Sequence, residues 1–202
     1  MLAVTNEGSN TVSVYSVSGA GKTRPVSGSP FATGKNPDAV AFGSTRSGGE
    51  ALATANWSDN SVSTFSVSGG VVAPAAGSPF TALAGPSSVA FSPAGGLLAV
   101  ADSNANEVNM YSVSFVGQLT GVAAAHTRGS PQSVAFSPNG GLLATASPSN
   151  VSVFSVASTG QLAQVSGSPF SPAGSPVSVA FDADGFLMAI ATGKTAVYSY
   201  MP

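Results

Sequence analysis

Few side chains in this chain could do acid–base chemistry, and they are spread thinly along it. The 202 residues include one histidine, no cysteine and eight aspartates and glutamates. Polar side chains recur at corresponding places in a repeating pattern, where they could contact a ligand. These candidate ligand-binding residues are Asn6, Glu7, Asp38, Asn56, Trp57, Asp102 and Gln132. Asparagine and aspartate also shape turns, so a purely structural role is the competing interpretation, and no residue is assigned as catalytic.

Trp57 and His126 are each the only residue of their type. An exposed Trp57 could stack on a sugar or anchor a protein partner, or it could cover a neighbouring edge. The repeat pattern places His126 in a shortened linker near Arg128, with no carboxylate close in sequence, so a solvated loop histidine is expected. One histidine and no cysteine make no His- or Cys-rich metal site, and we expect neither a metal nor a cofactor.

A repeat of 45 to 49 residues organises the chain. It is measured between the phenylalanines that close each V-A-F triplet, which are Phe42, Phe91, Phe136 and Phe181. A period of this size, built of several short strands, is typical of propeller blades. The units run approximately over 1–36, 37–85, 86–130, 131–175 and 176–202 of a single domain.

The strand count predicts an all-β propeller of about five units and 18 strands, with three strands in each terminal unit. Both faces of the inner strands are apolar or small, as in sheets that are covered on both sides. We expect aromatic residues to carry most of the burial between units. They are Phe42, Phe91, Phe136, Phe181, Tyr15, Phe65, Tyr111, Phe154 and Tyr198. The ring is either closed or an open arc that self-association through the terminal blades completes.

Composition excludes some classes of partner. Charged residues are only 7% of the chain and the net charge is −2, so there is no basic surface for nucleic acid. No apolar run approaches the roughly 20 residues that cross a bilayer, so membrane insertion is not expected. A sparsely charged surface rich in Ser, Gly and Thr favours an extracellular or cell-surface location. The chain starts inside a repeat strand, which leaves open whether it is a fragment of a larger propeller.

The segment T-N-E-G-S-N-T-V-S-V-Y at 5–15, with the recurring V-A-F-S-P-x-G-G-L-L-A and G-S-P-F, resembles the bacterial lactonase-like, YVTN-type β-propellers. The resemblance implies a propeller fold. Members that hydrolyse sugar lactones look to have seven blades and to pair an N-E with a P-R-H motif. Asn6 and Glu7 match the N-E, whereas no P-R-H occurs here.

Two functions from different classes follow. The first is a non-catalytic propeller that acts as a binding or assembly scaffold, with a protein or glycan ligand at the rim loops. The alternative is a lactonase-like hydrolase of sugar lactones, which would use Glu7 but would lack the arginine and histidine of the motif. A third interpretation makes the chain part of a larger ring whose function needs the complete assembly.

Overall fold

The computed structural model describes residues 1–81, 83–185, 187–192 and 196–199, with the backbone alone for Leu187 and for 196–199. Within these ranges, twenty strands form five antiparallel sheets, and the sheets follow one another along the chain. One 3₁₀ turn, Glu7–Ser9, follows the first strand. Among these residues no helix is long and apolar enough to span a membrane. The prediction of an all-β propeller is confirmed.

Each sheet is one blade, numbered 1 to 5 in chain order. Blade 1 contains β1 (Leu2–Asn6), β2 (Thr11–Val17), β3 (Thr23–Pro25) and β4 (Phe31–Ala32). Blade 2 contains β5 (Pro37–Ser44), β6 (Glu50–Asn56), β7 (Ser61–Ser68), β8 (Val71–Pro74) and β9 (Phe80–Thr81). Blade 3 contains β10 (Pro86–Phe91), β11 (Leu97–Asp102), β12 (Glu107–Val113) and β13 (Leu119–His126). Blade 4 contains β14 (Ser133–Phe136), β15 (Leu142–Ser147), β16 (Asn150–Val156) and β17 (Leu162–Gln164). Blade 5 contains β18 (Ser178–Phe181), β19 (Leu187–Ala191) and β20 (Ala196–Ser199).

Two strands of two residues each, β4 and β9, were not predicted. They contain the phenylalanine of the G-S-P-F motif, which the sequence had placed in a turn. Phe31 pairs with Val12, and Phe80 pairs with Val62. In blade 4 the same phenylalanine forms an isolated bridge with Val151. The motif therefore adds a short pairing to β2 in blade 1, to β7 in blade 2 and to β16 in blade 4.

Large and small residues alternate so that neighbouring blades fit together. The leucine of β11, Leu98, packs with Ala51, Ala53 and Ala55 on the facing side of β6. All four side chains are completely buried. On the opposite face of β6, Leu52 packs in the core between blades 1 and 2. The predicted packing of large side chains against small ones is thus present at these interfaces.

Aromatic residues contribute less to these cores than the sequence predicts. Phe65 and Phe154 are buried. The other described members of the predicted set, Phe42, Phe91, Phe136, Phe181, Tyr15 and Tyr111, are only half-buried. Aliphatic residues of the second and third strands take the central places, because these strands lie in the middle of each sheet. The Tyr198 side chain lies outside the described part.

Asparagines in left-handed turns join successive blades. Asn10 and Asn60 have φ values of 56° and 53°, a conformation that asparagine tolerates better than most residues. The Asn36 backbone N–H donates to Asn10 Oδ1 at 2.9 Å, and the Gly85 N–H donates to Asn60 Oδ1 at 2.8 Å. Each turn therefore holds the linker that enters the next blade.

Candidate functional site

The first strand of a blade begins where the second strand ends. Pro37 at the start of β5 pairs with Asn56, and Pro86 at the start of β10 pairs with Asp102. We call this edge, where β1, β6, β11 and β15 end and β5, β10 and β14 begin, the entry rim. All seven residues predicted to contact a ligand lie on or next to it.

Two carboxylates from adjacent blades approach each other on the entry rim. Glu7 lies in the 3₁₀ turn after β1, and Asp38 is the second residue of β5. The surrounding rim partly desolvates the Asp38 carboxyl, although much of the residue is exposed, and this raises its pKa above the ordinary aspartate value. The negative charge of Glu7 raises the pKa of Asp38 further. Both effects favour the protonated form of Asp38 over its carboxylate.

The linker residue Asn36 holds Asp38 from the other side. Its Nδ2 donates to Asp38 Oδ1 at 3.3 Å. Its backbone is held by Asn10 in blade 1, and its φ is 58°. Asn36 is not among the residues predicted from the sequence to contact a ligand. An asparagine immediately before a proline at a strand entry was the available signal.

Trp57 belongs to the same part of the rim. Its backbone N–H donates to the Asn36 carbonyl at 2.9 Å. The residue is half-buried, and a Cβ built on Gly85 would lie 3.3 Å from the Trp57 Cη2 atom. The indole therefore covers the linker that enters blade 3 while keeping part of its surface exposed. Of the two roles that the sequence left open, the structure shows the covering of a neighbouring edge, and the role in ligand binding stays a prediction.

The amides of Asn56 and Asn6 are bound within their own blades. Asn56 is completely buried. Its Nδ2 donates to Ser61 Oγ at 3.0 Å and to Ser63 Oγ at 2.9 Å, and its Oδ1 accepts from Thr54. Asn6 Nδ2 makes the equivalent two donations in blade 1, at 3.0 and 2.9 Å. These contacts give both asparagines a structural role.

Asp102 has a similar position in blade 3. It is 2% exposed, and its two carboxylate oxygens accept the Ala84 N–H at 2.8 and 3.0 Å. Burial raises the pKa of Asp102; the Ala84 N–H lowers it and the charge of Glu107 raises it. Asp102 thus holds the linker into blade 3. Gln132 lies at the entry to blade 4, where its backbone N–H donates to the Ala146 carbonyl at 2.7 Å and its side chain is exposed.

His126 was predicted to be a solvated histidine in a linker loop; its side chain is solvated, but the residue belongs to a strand and has a carboxylate neighbour. It ends β13 and pairs directly with Glu107 on β12. Its Nδ1 lies 3.3 Å from Glu107 Oε1, and its side chain is 85% exposed. The carboxylate is distant in sequence and strand pairing brings it close, which sequence spacing alone could not show. Within the described ranges no group of three His, Asp or Glu side chains could hold a metal.

The structure therefore separates the predicted residues into two sets. At the junction of blades 1 and 2, Asn36 contacts both Asp38 and Trp57, and the charge of Glu7 acts on Asp38. Asn6, Asn56 and Asp102 serve the interiors of their blades, and Gln132 belongs to blade 4. The first set alone brings together acid–base groups and an aromatic surface.

Several solved structures have a similar fold. A protein from Bacteroides uniformis, provisionally assigned as a 6-phosphogluconolactonase, superposes with a TM-score of 0.78 at 17% identity, over 98% of this chain and 65% of that one. The periplasmic gluconolactonase of Pseudomonas aeruginosa gives 0.71 at 21% identity, over 89% and 56%. A functionally unknown protein from Desulfotomaculum acetoxidans gives 0.77 at 19% identity, over 94% and 61%. The chain thus spans less than two thirds of each structure.

Sequence comparison assigns the family. No curated protein sequence matches the chain. A family model described as lactonase, 7-bladed β-propeller, matches residues 70–181, which is more than half of the chain. Together with the blade repeat and the propeller fold, this match shows that the chain belongs to the lactonase family of seven-bladed β-propellers.

Proposed function

We propose that the chain carries a lactonase-type site in which Glu7 and Asp38 act on a sugar lactone at the entry rim. The family match and the gluconolactonase among the similar structures favour hydrolysis over the non-catalytic scaffold, which the missing P-R-H motif favoured. The observation that carries the proposal is the placement of the two carboxylates on adjacent blades of the entry rim, where partial desolvation and then the charge of Glu7 raise the pKa of Asp38. Fold likeness alone would not be sufficient, since one fold hosts many activities.

Asp38 is the general base in this proposal. A carboxylate with a raised pKa is a stronger base than an ordinary aspartate. It takes a proton from water while the water oxygen attacks the lactone carbonyl carbon. The bond from that carbon to the ring oxygen then breaks, and the ring oxygen receives the proton. The products are a free hydroxyl and a carboxylate, and the second proton of the water leaves the new carboxyl group for the solvent. Asn36 positions Asp38 through its 3.3 Å hydrogen bond.

Attack by water places negative charge on the lactone carbonyl oxygen. Because the P-R-H motif is missing, a cation other than its arginine must stabilise this charge. Lys35 precedes Asn36 in the same linker and is exposed. Its backbone N–H donates to Asp59 Oδ2 at 2.7 Å, which fixes the chain at the base of the lysine. We assign Lys35 the role of stabilising the negative charge that develops on the carbonyl oxygen. The exposed part of Trp57 provides a stacking surface for the sugar ring.

Acid release from glucono-δ-lactone, corrected for the buffer rate, tests the proposal. Asp38→Asn should lower kcat/KM by about 10² or more, because it removes the general base. Lys35→Gln should lower it by a similar factor through loss of charge stabilisation. Glu50→Gln is the matched control, since this exposed carboxylate begins β6 at the opposite end of the strand from Asn56.

A wild-type rate equal to that of buffer, or an Asp38→Asn rate equal to wild type, would contradict the proposal. If the protein bound the lactone without turnover, and Trp57→Ala abolished that binding, the scaffold interpretation would replace it.

A further inference from the structure

A second cleft, of about 570 Å³, opens at the opposite end of the sheets from the entry rim. Turns of blades 2, 3 and 4 form its walls. The residues important here are Arg46, Ser92, Leu97, Asn139, Ser158 and Thr159. None of its lining residues is acidic. The site thus combines one cation, several hydroxyls, an amide and a small apolar floor.

A close contact between two hairpins places Arg46 at the cleft. The Gly96 N–H of blade 3 donates to the Ser44 carbonyl of blade 2 at 2.9 Å. A Cβ on Gly96 would lie 2.8 Å from Arg46 Cβ and 3.1 Å from its Cα, so only glycine permits this approach. The backbone of Arg46 is thereby fixed against blade 3. In the described part of the chain its guanidinium forms no ion pair or hydrogen bond.

Ser92 supplies an independent sign of a ligand. It is 4% exposed and lines the cleft, and its hydroxyl has no hydrogen-bond partner among the described residues. The corresponding serine of blade 4, Ser137, is fully used, because it donates to Asn139 Oδ1 and accepts the Leu142 N–H. Blade 3 has Ala94 at the place of Asn139. This substitution leaves the Ser92 hydroxyl without a partner among the described residues and open to the cleft, where a Cβ built on Gly140 in the turn of blade 4 would lie 3.1 Å from its oxygen.

We propose that this cleft binds a small polyhydroxylated anion, with its carboxylate or phosphate on Arg46 and its hydroxyls on Ser92 and Asn139. An arginine donates two parallel hydrogen bonds to either oxyanion. Asn139 Oδ1 already accepts from Ser137 and from the Gly141 N–H, so its Nδ2 is the group left to donate. Leu97, 5% exposed, provides apolar contact for the carbon skeleton.

Calorimetry with four probes tests the proposal and identifies the anion. Glucuronate and glucose 6-phosphate should bind more tightly than glucose by about tenfold or more, because only they carry a charge for Arg46. Inorganic phosphate is the fourth probe. If it binds as tightly as glucose 6-phosphate, the site recognises the anion alone, and if it binds more weakly, the sugar contributes to binding. Binding of either sugar anion that depends on Arg46 supports the proposal, and the tighter of the two names the oxyanion.

Variants separate this site from the surface in general and from the entry rim. Arg46→Gln should weaken binding by about tenfold or more, whereas Arg24→Gln, an exposed arginine on β3, should not change it. Ser92→Ala should weaken binding while leaving the melting temperature within a few degrees. Asp38→Asn should leave binding unchanged. Equal binding of glucose and glucuronate, or no anion binding, or binding unaffected by Arg46→Gln in a folded protein, would overturn the proposal.

Discussion

Polar residues that end the second strand of a blade hold the linker that enters the blade. In blade 3, Asp102 accepts the Ala84 N–H, and in blade 4, Ser147 Oγ donates to the Gly129 carbonyl at 3.1 Å. In blade 2, the Gly34 N–H donates to Ser63, which Asn56 also contacts. The residue type at this position differs between blades, but in each of these blades it helps to hold the entering linker. A change at one of these positions should therefore act mainly on stability.

Blade 4 offers a direct test of this view. Its Thr145 and Ser152 hydroxyls are buried without a partner in the described chain, whereas Asn56 satisfies the matching pair in blade 2. Ser147→Asn should place an amide between them and raise the free energy of unfolding by about 1–2 kcal/mol. Chemical denaturation measures the change, with the exposed Ser47→Asn as control. A stability lower than wild type would show that blade 4 does not have room for the amide.

Asp102 should make stability depend on pH. Its pKa is raised in the folded state, so the folded protein holds a proton over a pH range in which the unfolded chain has lost it. Stability should therefore fall as pH rises from the ordinary aspartate pKa through the raised one. Asp102→Asn should remove this part of the slope, because an amide does not titrate. Denaturation midpoints between pH 3.5 and 7 measure it, and an identical slope in both proteins would refute the assignment.

At the scale of strands, contact between blades leaves little room for additional atoms. Gly43 near the end of β5 lies against the ring of Phe91 in blade 3, where a Cβ would overlap the ring. Gly43→Ala should destabilise the protein by about 1–3 kcal/mol through overpacking. Gly121→Ala in β13 is the matched control, since no atom lies within 4 Å of the Cβ it would add. Equal thermal stability of the two variants would contradict the packing described here.

The recurring sequence motifs made most strands predictable. Contacts that depend on pairing between residues distant in sequence could not be predicted. The V-A-F strand and the leucine strand after it repeat with their turn, so period and alternation locate them. The strands β4 and β9 are two residues long, too short for a periodic signal. His126 and Glu107 meet through strand pairing. An asparagine at the entry rim can either bind a ligand or hold its own blade together. The residue type alone therefore could not show that Asn6 and Asn56 have a structural role.

At the scale of the whole molecule, one face of blade 1 differs from its counterparts. Leu2 and Val4 of β1 are 46% and 44% exposed. Their equivalents in blade 3, Leu98 and Val100, are completely buried against blade 2. The face that the preceding blade covers elsewhere is therefore apolar and open in blade 1.

We propose that a second copy of the chain covers this face, because the described interface between blades 2 and 3 is built from such apolar surfaces, with Leu98 and Val100 packed on alanines. Sedimentation velocity should show association that increases with concentration. Leu2→Asp with Val4→Asp should shift the equilibrium to monomer, while Val71→Asp, at an exposed position on β8, should not. A wild-type protein that is monomeric at every concentration would exclude this mode of assembly.

The pH dependence of lactone hydrolysis is the most direct test of the carboxylate pair. The account predicts that kcat/KM rises with pH through an apparent pKa above that of an ordinary aspartate, since Asp38 must be ionised to act as base. In Glu7→Gln this limb should move to lower pH, because the charge that raises the pKa of Asp38 is gone. A limb at the same pH in both proteins, or a rate independent of Asp38, would contradict the account.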